Sequence, residues 1–312
     1  MKTANPLKKI IKPFVSPAVF DFWASKLVRN ASWETPRATV VARHVEARDT
    51  VTLELQPNGH FTGFTPGQHI NVVVEVAGVR HTRSYSISSL PDRRGRIAIT
   101  VRRYEGGLVS TELCQHTRTG DVLEISQAFG EMTVPAGYQS GWLLMAAGSG
   151  ITPLMSILRQ LTADTLHQPV TLLYWARTRA DLCFFQELRH LSEREPRFHL
   201  HFILTREHEL LPEEVQGRPS LALFQSLLED LAAVRAYACG PAGFVDSVRA
   251  LVGDRVGYFE AEAFTPVALE TSDAGEVQVT LAQSGKVLSL PTDRPLLQAL
   301  EEAGEAPAYG CR

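Results

Sequence analysis

The hydrophobic pattern changes its period partway along the chain. Between Arg37 and Ser126 apolar and polar positions alternate, most cleanly in Val51-Thr52-Leu53-Glu54-Leu55 and in His69-Ile70-Asn71-Val72-Val73-Val74-Glu75-Val76. That period puts every second side chain on one face of a strand. Further strands are predicted at 82–88, 97–103 and 122–126, with a helical insertion at 109–116. Six antiparallel strands of this length close most simply into a barrel, because closure leaves no exposed edge. After Gly137 the pattern becomes an apolar strand, a turn and an amphipathic helix, repeated four times: 142–147 then 153–161, 170–175 then 182–191, 198–204 then 221–231, and 236–239 then 243–252. Continuously apolar strands alternating with helices imply a parallel sheet covered on both faces.

Two flanking segments follow neither pattern. Before the barrel, Ser16 suits a helix N-cap and Pro17 its first turn, and Val19, Phe20, Trp23, Leu27 and Val28 gather on one face. Within the first thirty residues Lys2, Lys8, Lys9, Lys12, Lys26 and Arg29 stand against Asp21 alone. The arm is expected to fold onto its own domain, with docking to a membrane surface or a membrane-bound partner as the alternative. After a linker at 266–275, a hairpin (276–281 and 286–290, turning at Ser284-Gly285) and a helix (295–303) form a unit too short to bury a stable core alone. The predicted division is a basic helical arm at 1–35, a barrel at 36–137, an α/β domain at 138–265 and a terminal segment at 266–312.

Length and composition narrow the classes. A chain of 312 residues suggests two domains or slightly more. A net charge of -3 gives no reason to expect nucleic acid. The four cysteines, Cys114, Cys183, Cys239 and Cys311, lie far apart without metal-ligand spacing, and nothing at the start reads as a cleavable signal. A reduced cytoplasmic setting without disulfides is therefore expected, with peripheral membrane contact through the arm as its variant. His199 and His201 alternate on a strand but lack a third ligand.

The candidate chemistry is that of a flavin and a dinucleotide. A flavin needs a flat aromatic partner, a cation for its pyrophosphate and a short hydroxyl near its redox-active edge. Arg83-Ser84-Tyr85-Ser86 offers all three on one strand, although a charged and aromatic edge strand would read the same way. Gly106-Gly107-Leu108-Val109-Ser110 sets glycines just ahead of a helix, where free amides receive a phosphate. Gly148-Ser149-Gly150-Ile151-Thr152-Pro153 follows one apolar strand and opens a helix, the context a dinucleotide turn requires. Proline in the last place fits the first helical turn, where its missing amide costs nothing. Cys239-Gly240-Pro241 ends the fourth strand at the same carboxyl edge of the sheet.

Over roughly residues 37–264 the chain resembles the ferredoxin-NADP reductase superfamily. Pro66-Gly67-Gln68, Arg83-x-Tyr85-Ser86, Gly107-x-x-Ser110, Gly148-x-Gly150-Ile151-Thr152-Pro153 and Cys239-Gly240-Pro241 occur in family order. The resemblance implies that Arg83 contacts the flavin pyrophosphate beside Ser84, that Tyr85 stacks on the isoalloxazine and that Ser86 hydrogen-bonds near N5. Gly107, Val109 and Ser110 would complete the phosphate site. Gly148, Gly150, Pro153, Gly240 and Pro241 would bind the dinucleotide, with Thr152 and Cys239 beside the nicotinamide; Tyr85, Ser86 and Cys239 are the expected residues at the reacting atoms. Glu262 and Phe264 match the family's closing Glu-x-Phe, which approaches the flavin. Gln127-Ala128-Phe129-Gly130 departs from relatives that have a proline before the glycine, so the loop there is expected to differ in shape.

The terminal segment resembles the first half of a plant-type [2Fe-2S] ferredoxin domain, as in oxygenase and desaturase reductases. Cys311 matches its first ligand. Such a cluster takes four thiolates, three of them in a C-x₄-C-x₂-C run, so [2Fe-2S] is expected only if this chain is a fragment of a longer protein. Arg177 and Arg179 follow the second parallel strand, and no acid stands at its tip, which favours NADPH over NADH. FAD is expected rather than FMN, because the superfamily mostly uses it. The expected protein is a flavoprotein reductase that takes hydride from NAD(P)H and releases single electrons to an iron-sulfur domain or ferredoxin serving an oxygenase or a membrane-bound fatty acyl desaturase. The alternatives are a flavin-binding electron-transfer subunit without NAD(P)H oxidation, and a reductase of a separate ferredoxin or flavodoxin.

Overall fold

The computed structural model describes residues 16–137, 140–163, 166–212, 214–228, 231–264, 275–282 and 284–305. The chain divides into two units, Met1–Thr265 and Pro266–Arg312. The first opens with helix α1 (Pro17–Leu27), where Ser16 Oγ accepts the Val19 N–H and Pro17 takes the first position. Only part of its predicted apolar face is covered. Phe20 meets Trp33 edge-on at 5.0 Å, and Asp21 accepts the Trp33 N–H and pairs with Arg37 at 3.1 Å. Val19, Phe22, Trp23 and Val28 remain exposed.

Strands β1 (Arg37–Ala47), β2 (Thr50–Pro57), β3 (His69–Val76), β4 (Val79–Ser86), β5 (Ile97–Arg102) and β6 (Val122–Ile125) form one antiparallel sheet in the order β4-β3-β6-β1-β2-β5. A bridge between Ile87 and Ile99 links its two edges, so the sheet closes on itself. Alternation explains the interior: Ile70, Val72 and Val74 are buried with Leu53, Leu55 and Ile99, while Glu75 faces outward. Each such side chain contributes about 1.5–3 kcal/mol by leaving water. The predicted insertion is a short helix α2 (Leu108–Thr111) that loosens into a π-helical turn at Glu112–His116.

Strands β7 (Trp142–Ala147), β8 (Val170–Ala176), β9 (Phe198–Leu204), β10 (Glu214–Gln216), β11 (Arg235–Gly240) and β12 (Tyr258–Ala263) form a parallel sheet in the order β10-β9-β8-β7-β11-β12. Helices α3 (Ile151–Leu161), α4 (Phe185–Arg194), α5 (Leu221–Leu227) and α6 (Ala242–Val252) connect its strands. β7 shows why its sequence lacks alternation: Trp142, Leu144 and Ala146 enter one core and Leu143 and Met145 the other. Strand order reverses between β7 and β11, and their carboxyl ends form the switch-point crevice of such a sheet.

Three predicted features are corrected. β10 and β12 went unpredicted: β10 has only three residues, and β12 is an edge strand whose acids Glu260 and Glu262 break its apolar run. Helix α4 starts at Phe185, not Leu182. A turn at Arg179–Asp181 and the left-handed Phe184 (φ 57°) precede it, and Glu46 of the barrel accepts the Phe184 N–H at 2.9 Å. A tertiary hydrogen bond overrides local helical pattern there. α5 ends at Leu227, short of the predicted Leu231.

The second unit contains β13 (Glu276–Thr280) paired antiparallel with β14 (Val287–Pro291), and α7 (Leu296–Glu302). Gly285 turns the hairpin at φ 71°. Among its described residues Leu290, Ala299 and Leu300 are buried, with Val279, Leu281 and Leu288 packed against them. Cys311 lies outside the described residues. Among the described residues, no helix is long and apolar enough to cross a membrane.

Candidate functional site

The dinucleotide signature sits at the switch point, and close packing dictates its glycines. A Cβ on Gly150 would lie 2.0 Å from the Cys239 carbonyl oxygen, and one on Gly240 would lie 2.9 Å from Ala147 Cβ. The ends of β7 and β11 therefore meet backbone to backbone. Gly148 adopts φ 56°, and its carbonyl accepts the Tyr174 hydroxyl at 3.0 Å. Tyr174 in turn accepts the Cys183 N–H, so the turn is braced from below. Thr152 is buried and donates to the Ser149 carbonyl at 3.0 Å, and Pro153 completes the first turn of α3.

Cys239 and Glu262 face each other across the β11–β12 register. The Cys239 thiol is fully buried, 3.7 Å from Met132 Sδ; burial, then the Glu262 charge, pushes it well above the ordinary thiol range. It is a neutral thiol at pH 7. Burial, then Glu260, raises the Glu262 carboxyl to about 7. Phe264 donates its N–H to the Gly240 carbonyl at 2.9 Å and leaves its ring exposed.

On the barrel, Arg83 and Tyr85 are half-buried on β4 and Tyr85 packs against the barrel core. Arg83 Nη1 donates to the Thr82 carbonyl at 2.7 Å. Ser84 is exposed and donates to Asn71 Oδ1, whereas Ser86 is buried. α2 packs against β3 and β4 and anchors its loop through buried Val109. Gly106 takes φ 75° with open space on its Cβ side, flanked by exposed Tyr104 and Leu108. The Ser110 hydroxyl turns back into the loop: it accepts the Tyr104 N–H at 3.0 Å, and a Cβ on Gly107 would lie 2.6 Å from it. A half-buried cation, a ring on the barrel core, a buried hydroxyl and a loop free of side chains fit an FAD. In the loop that lacks the expected proline, Phe129 bridges to His69 through backbone bonds of 2.9 Å and a ring contact at 4.1 Å.

Arg102, unremarked in the sequence, reaches from the barrel to the dinucleotide turn. It ends β5, reaches Asp181 Oδ1 at 3.1 Å, and its Nη1 lies 3.6 Å from where a Gly148 Cβ would be. Asp181 is buried and also holds the Thr178 N–H and hydroxyl. The Arg102-Arg103 doublet was the available signal. It could not say which arginine turns inward; Arg103 pairs with Asp49 at the surface. Arg179, the other arginine read in the sequence, is engaged within the protein. It grips Glu214 through two bonds of 2.6 Å, and Glu214 is kept ionised: burial raises its carboxyl, but Arg179 and the Leu211 N–H more than reverse this. The exposed pair at these strand tips is Arg177 and Arg206, joined by the Arg206 N–H on the Arg177 carbonyl at 2.8 Å. Among the described residues, no cluster of His, Cys, Asp and Glu could hold a metal.

Residues 37–134 match the family model of an oxidoreductase FAD-binding domain, and residues 144–250 that of an oxidoreductase NAD-binding domain. An NADPH oxidoreductase of Mycobacterium tuberculosis is 30% identical over 99% of this chain and 80% of its own. The NADH oxidoreductase HCR of Escherichia coli is 32% identical over 86% of this chain and 79% of its own. Among solved structures, phthalate dioxygenase reductase, described as a modular structure for electron transfer from pyridine nucleotides to [2Fe-2S], superimposes with a TM-score of 0.62 at 27% identity, covering 87% of this chain and 81% of that one. The cytochrome P450 reductase of Amycolatopsis reaches 0.65 at 26% identity, covering 76% and 72%.

Proposed function

The chain belongs to the ferredoxin-NADP reductase superfamily and is an FAD- and NAD-binding oxidoreductase, and from that premise we propose that it passes electrons from NADPH to an iron-sulfur acceptor that serves an oxygenase or a membrane-bound fatty acyl desaturase. Bound FAD supplies an acceptor for hydride and a donor of single electrons. The protein's part is to bind and orient. Arg83 neutralises the flavin pyrophosphate, the amides of the Gly106–Gly107 loop bind phosphate, Tyr85 offers its ring, and Ser86 holds a hydroxyl at the flavin edge. Gly148 and Gly150 admit the dinucleotide backbone, and Arg102 gives its pyrophosphate a cation from the barrel side. Thr152 and the neutral Cys239 border the nicotinamide, and Phe264 covers it from the end of β12. Flavin belongs to residues 36–137 and dinucleotide to 138–265.

The observation that carries this reading is the convergence of Gly150, Cys239, Gly240 and Arg102 at the switch point. NADPH is favoured because Arg177 and Arg206 form an exposed cationic pair at the tips of β8 and β9. The iron-sulfur acceptor is supported by the likeness to phthalate dioxygenase reductase, and the oxygenase by relatives named as reductase components, among them those of glycine betaine monooxygenase and propane 2-monooxygenase. Anaerobic titration with NADPH and then NADH, followed by absorbance, tests the reading. Flavin bleaching is expected with both, at lower concentration with NADPH, and Arg177→Ala/Arg206→Ala should abolish that preference. A flavin spectrum that neither dinucleotide bleaches would leave an electron carrier instead.

Peripheral membrane contact is a second part of the proposal. Val19, Phe22, Trp23 and Lys26 fall at helical spacing on the uncovered face of α1, an apolar stripe with a cation suited to an anionic lipid surface. Cosedimentation with anionic vesicles that persists unchanged in Trp23→Ser would remove it.

A further inference from the structure

One face of helix α3 touches both cofactor signatures. Thr152, Ser156 and Arg159 recur at i, i+4 and i+7, so they stand above one another along the helix. Thr152 lies in the dinucleotide turn. The other two reach into the barrel. Ser156 is fully buried; its hydroxyl accepts the Gly67 N–H at 2.8 Å and donates to the Pro153 carbonyl at 2.9 Å. Gly67 has φ 99° and no room for a side chain, since a Cβ would lie 2.0 Å from the Met132 carbonyl oxygen. The carbonyl of the next residue, Gln68, accepts the Ile87 N–H at 3.0 Å, directly after Ser86. Arg159 donates from Nη1 to the Ser88 carbonyl at 2.5 Å. Its remaining nitrogens pair with both oxygens of Glu187, and its guanidinium lies 5.1 Å from the centre of the Phe184 ring.

The segment Ser86-Ile87-Ser88 is therefore held by α3 from both sides, through Gly67-Gln68 at one end and directly at the other. Two attachments one turn apart resist sliding and rotation, where a single one would act as a pivot. We propose that Ser156 and Arg159 are positioning residues for hydride transfer: they fix the dinucleotide turn against the flavin strand and so set the approach of the nicotinamide to the flavin. This rests on the reductase reading above. In that step the C4–H bond of the nicotinamide breaks and an N–H bond forms on the flavin, both electrons moving with the hydrogen. A misplacement of about 1 Å can cost such a step about 100-fold. Neither residue is among those proposed to hold a ligand, so cofactor affinity should survive where the rate does not.

The test uses the full-length flavoprotein and its Ser156→Ala and Arg159→Met variants in anaerobic stopped-flow reduction by NADPH. The expected result is a limiting reduction rate lowered about 10- to 100-fold, with the dinucleotide Kd and the flavin content within about threefold of the parent. The long-wavelength charge-transfer absorbance of the nicotinamide–flavin complex should fall with the rate. Amide hydrogen exchange at Gly67 supplies a readout independent of turnover: protection should drop in Ser156→Ala and persist in Arg159→Met. A lowered melting temperature with rate and charge-transfer band unchanged would overturn the proposal, as would a loss confined to Kd. If Arg159→Met does not fold, Arg159→Lys, which keeps one donor, is expected to lie between parent and Ser156→Ala in rate; a parental rate in both Arg159→Lys and Ser156→Ala would also overturn it. A parent protein that no dinucleotide reduces would instead refute the reductase reading.

Discussion

Two glycine turns serve the two proposed ligands, and Gly106 in the first and Gly150 in the second are glycine for opposite reasons. Around Gly106 a side chain would meet open space, and what excludes it is the backbone, held at φ 75°. Gly150 has an ordinary helical backbone (φ -60°) and is glycine because the Cys239 carbonyl already occupies the place of a Cβ. The first turn presents itself to solvent; the second presses two strand ends together beneath the ligand crevice. The barrel half of the site is thus a surface with an anchored loop, while the dinucleotide half is an extension of the packed sheet. The same contrast separates the half-buried Arg83 and Tyr85 from the buried Thr152 and Cys239.

The contrast can be broken by substitution. Gly150→Ala forces backbone against backbone, with no flexible side chain to yield; we expect a loss of about 3 kcal/mol or more of stability and no bleaching by either dinucleotide, as read by thermal unfolding and titration. Glu262 probes the same packed half through pH. Its carboxyl titrates at about 7 in the folded chain against an ordinary 4.5. Well below pH 4.5 it is protonated in both states and leaves stability unchanged; between pH 4.5 and about 7 the unfolded chain is ionised while the folded one keeps its proton, so stability falls across that window and the penalty is complete above 7. Glu262→Gln should therefore be more stable than the parent at pH 8, by up to about 3 kcal/mol, and equal to it at pH 4. Denaturant unfolding at the two pH values decides this, and an equal gain at both would show that the carboxyl charge is not the cause. Gly106→Ala should have the smallest effect on folding, about 1–2 kcal/mol for a left-handed backbone, and should show itself mainly as weaker FAD retention on gel filtration. If its stability loss matched that of Gly150→Ala, the two turns would not differ as described.

Much of this architecture was legible in the hydrophobic pattern, because burial imposes it. Alternation in β3 follows from one buried face, and the unbroken apolar run of β7 from two. The elements that escaped prediction are those stabilised from outside themselves. β10 is an edge strand of three residues, β12 an edge strand whose apolar run is broken by Glu260 and Glu262, and the start of α4 is set by a hydrogen bond from Phe184 to Glu46, far away along the chain. The candidate site divides in the same way. Its glycines and its Arg-x-Tyr-Ser strand could be read directly, since those residue types are demanded locally by backbone conformation and by ligand chemistry.

The sequence by itself determined the order of a barrel and a nucleotide-binding sheet, the two signatures and the family. Only the tertiary structure decided which charged side chains are available. Arg179 and Arg177 are equivalent in the sequence, yet Arg179 is bound to Glu214, thirty-five positions on, while Arg177 lies exposed beside Arg206. Arg102 and Arg103 are adjacent, yet one turns to buried Asp181 after β8 and the other to Asp49 on the surface. Periodicity reports burial, which each segment carries in its own composition. Ion pairing depends on distances between segments, which exist only once the chain has folded.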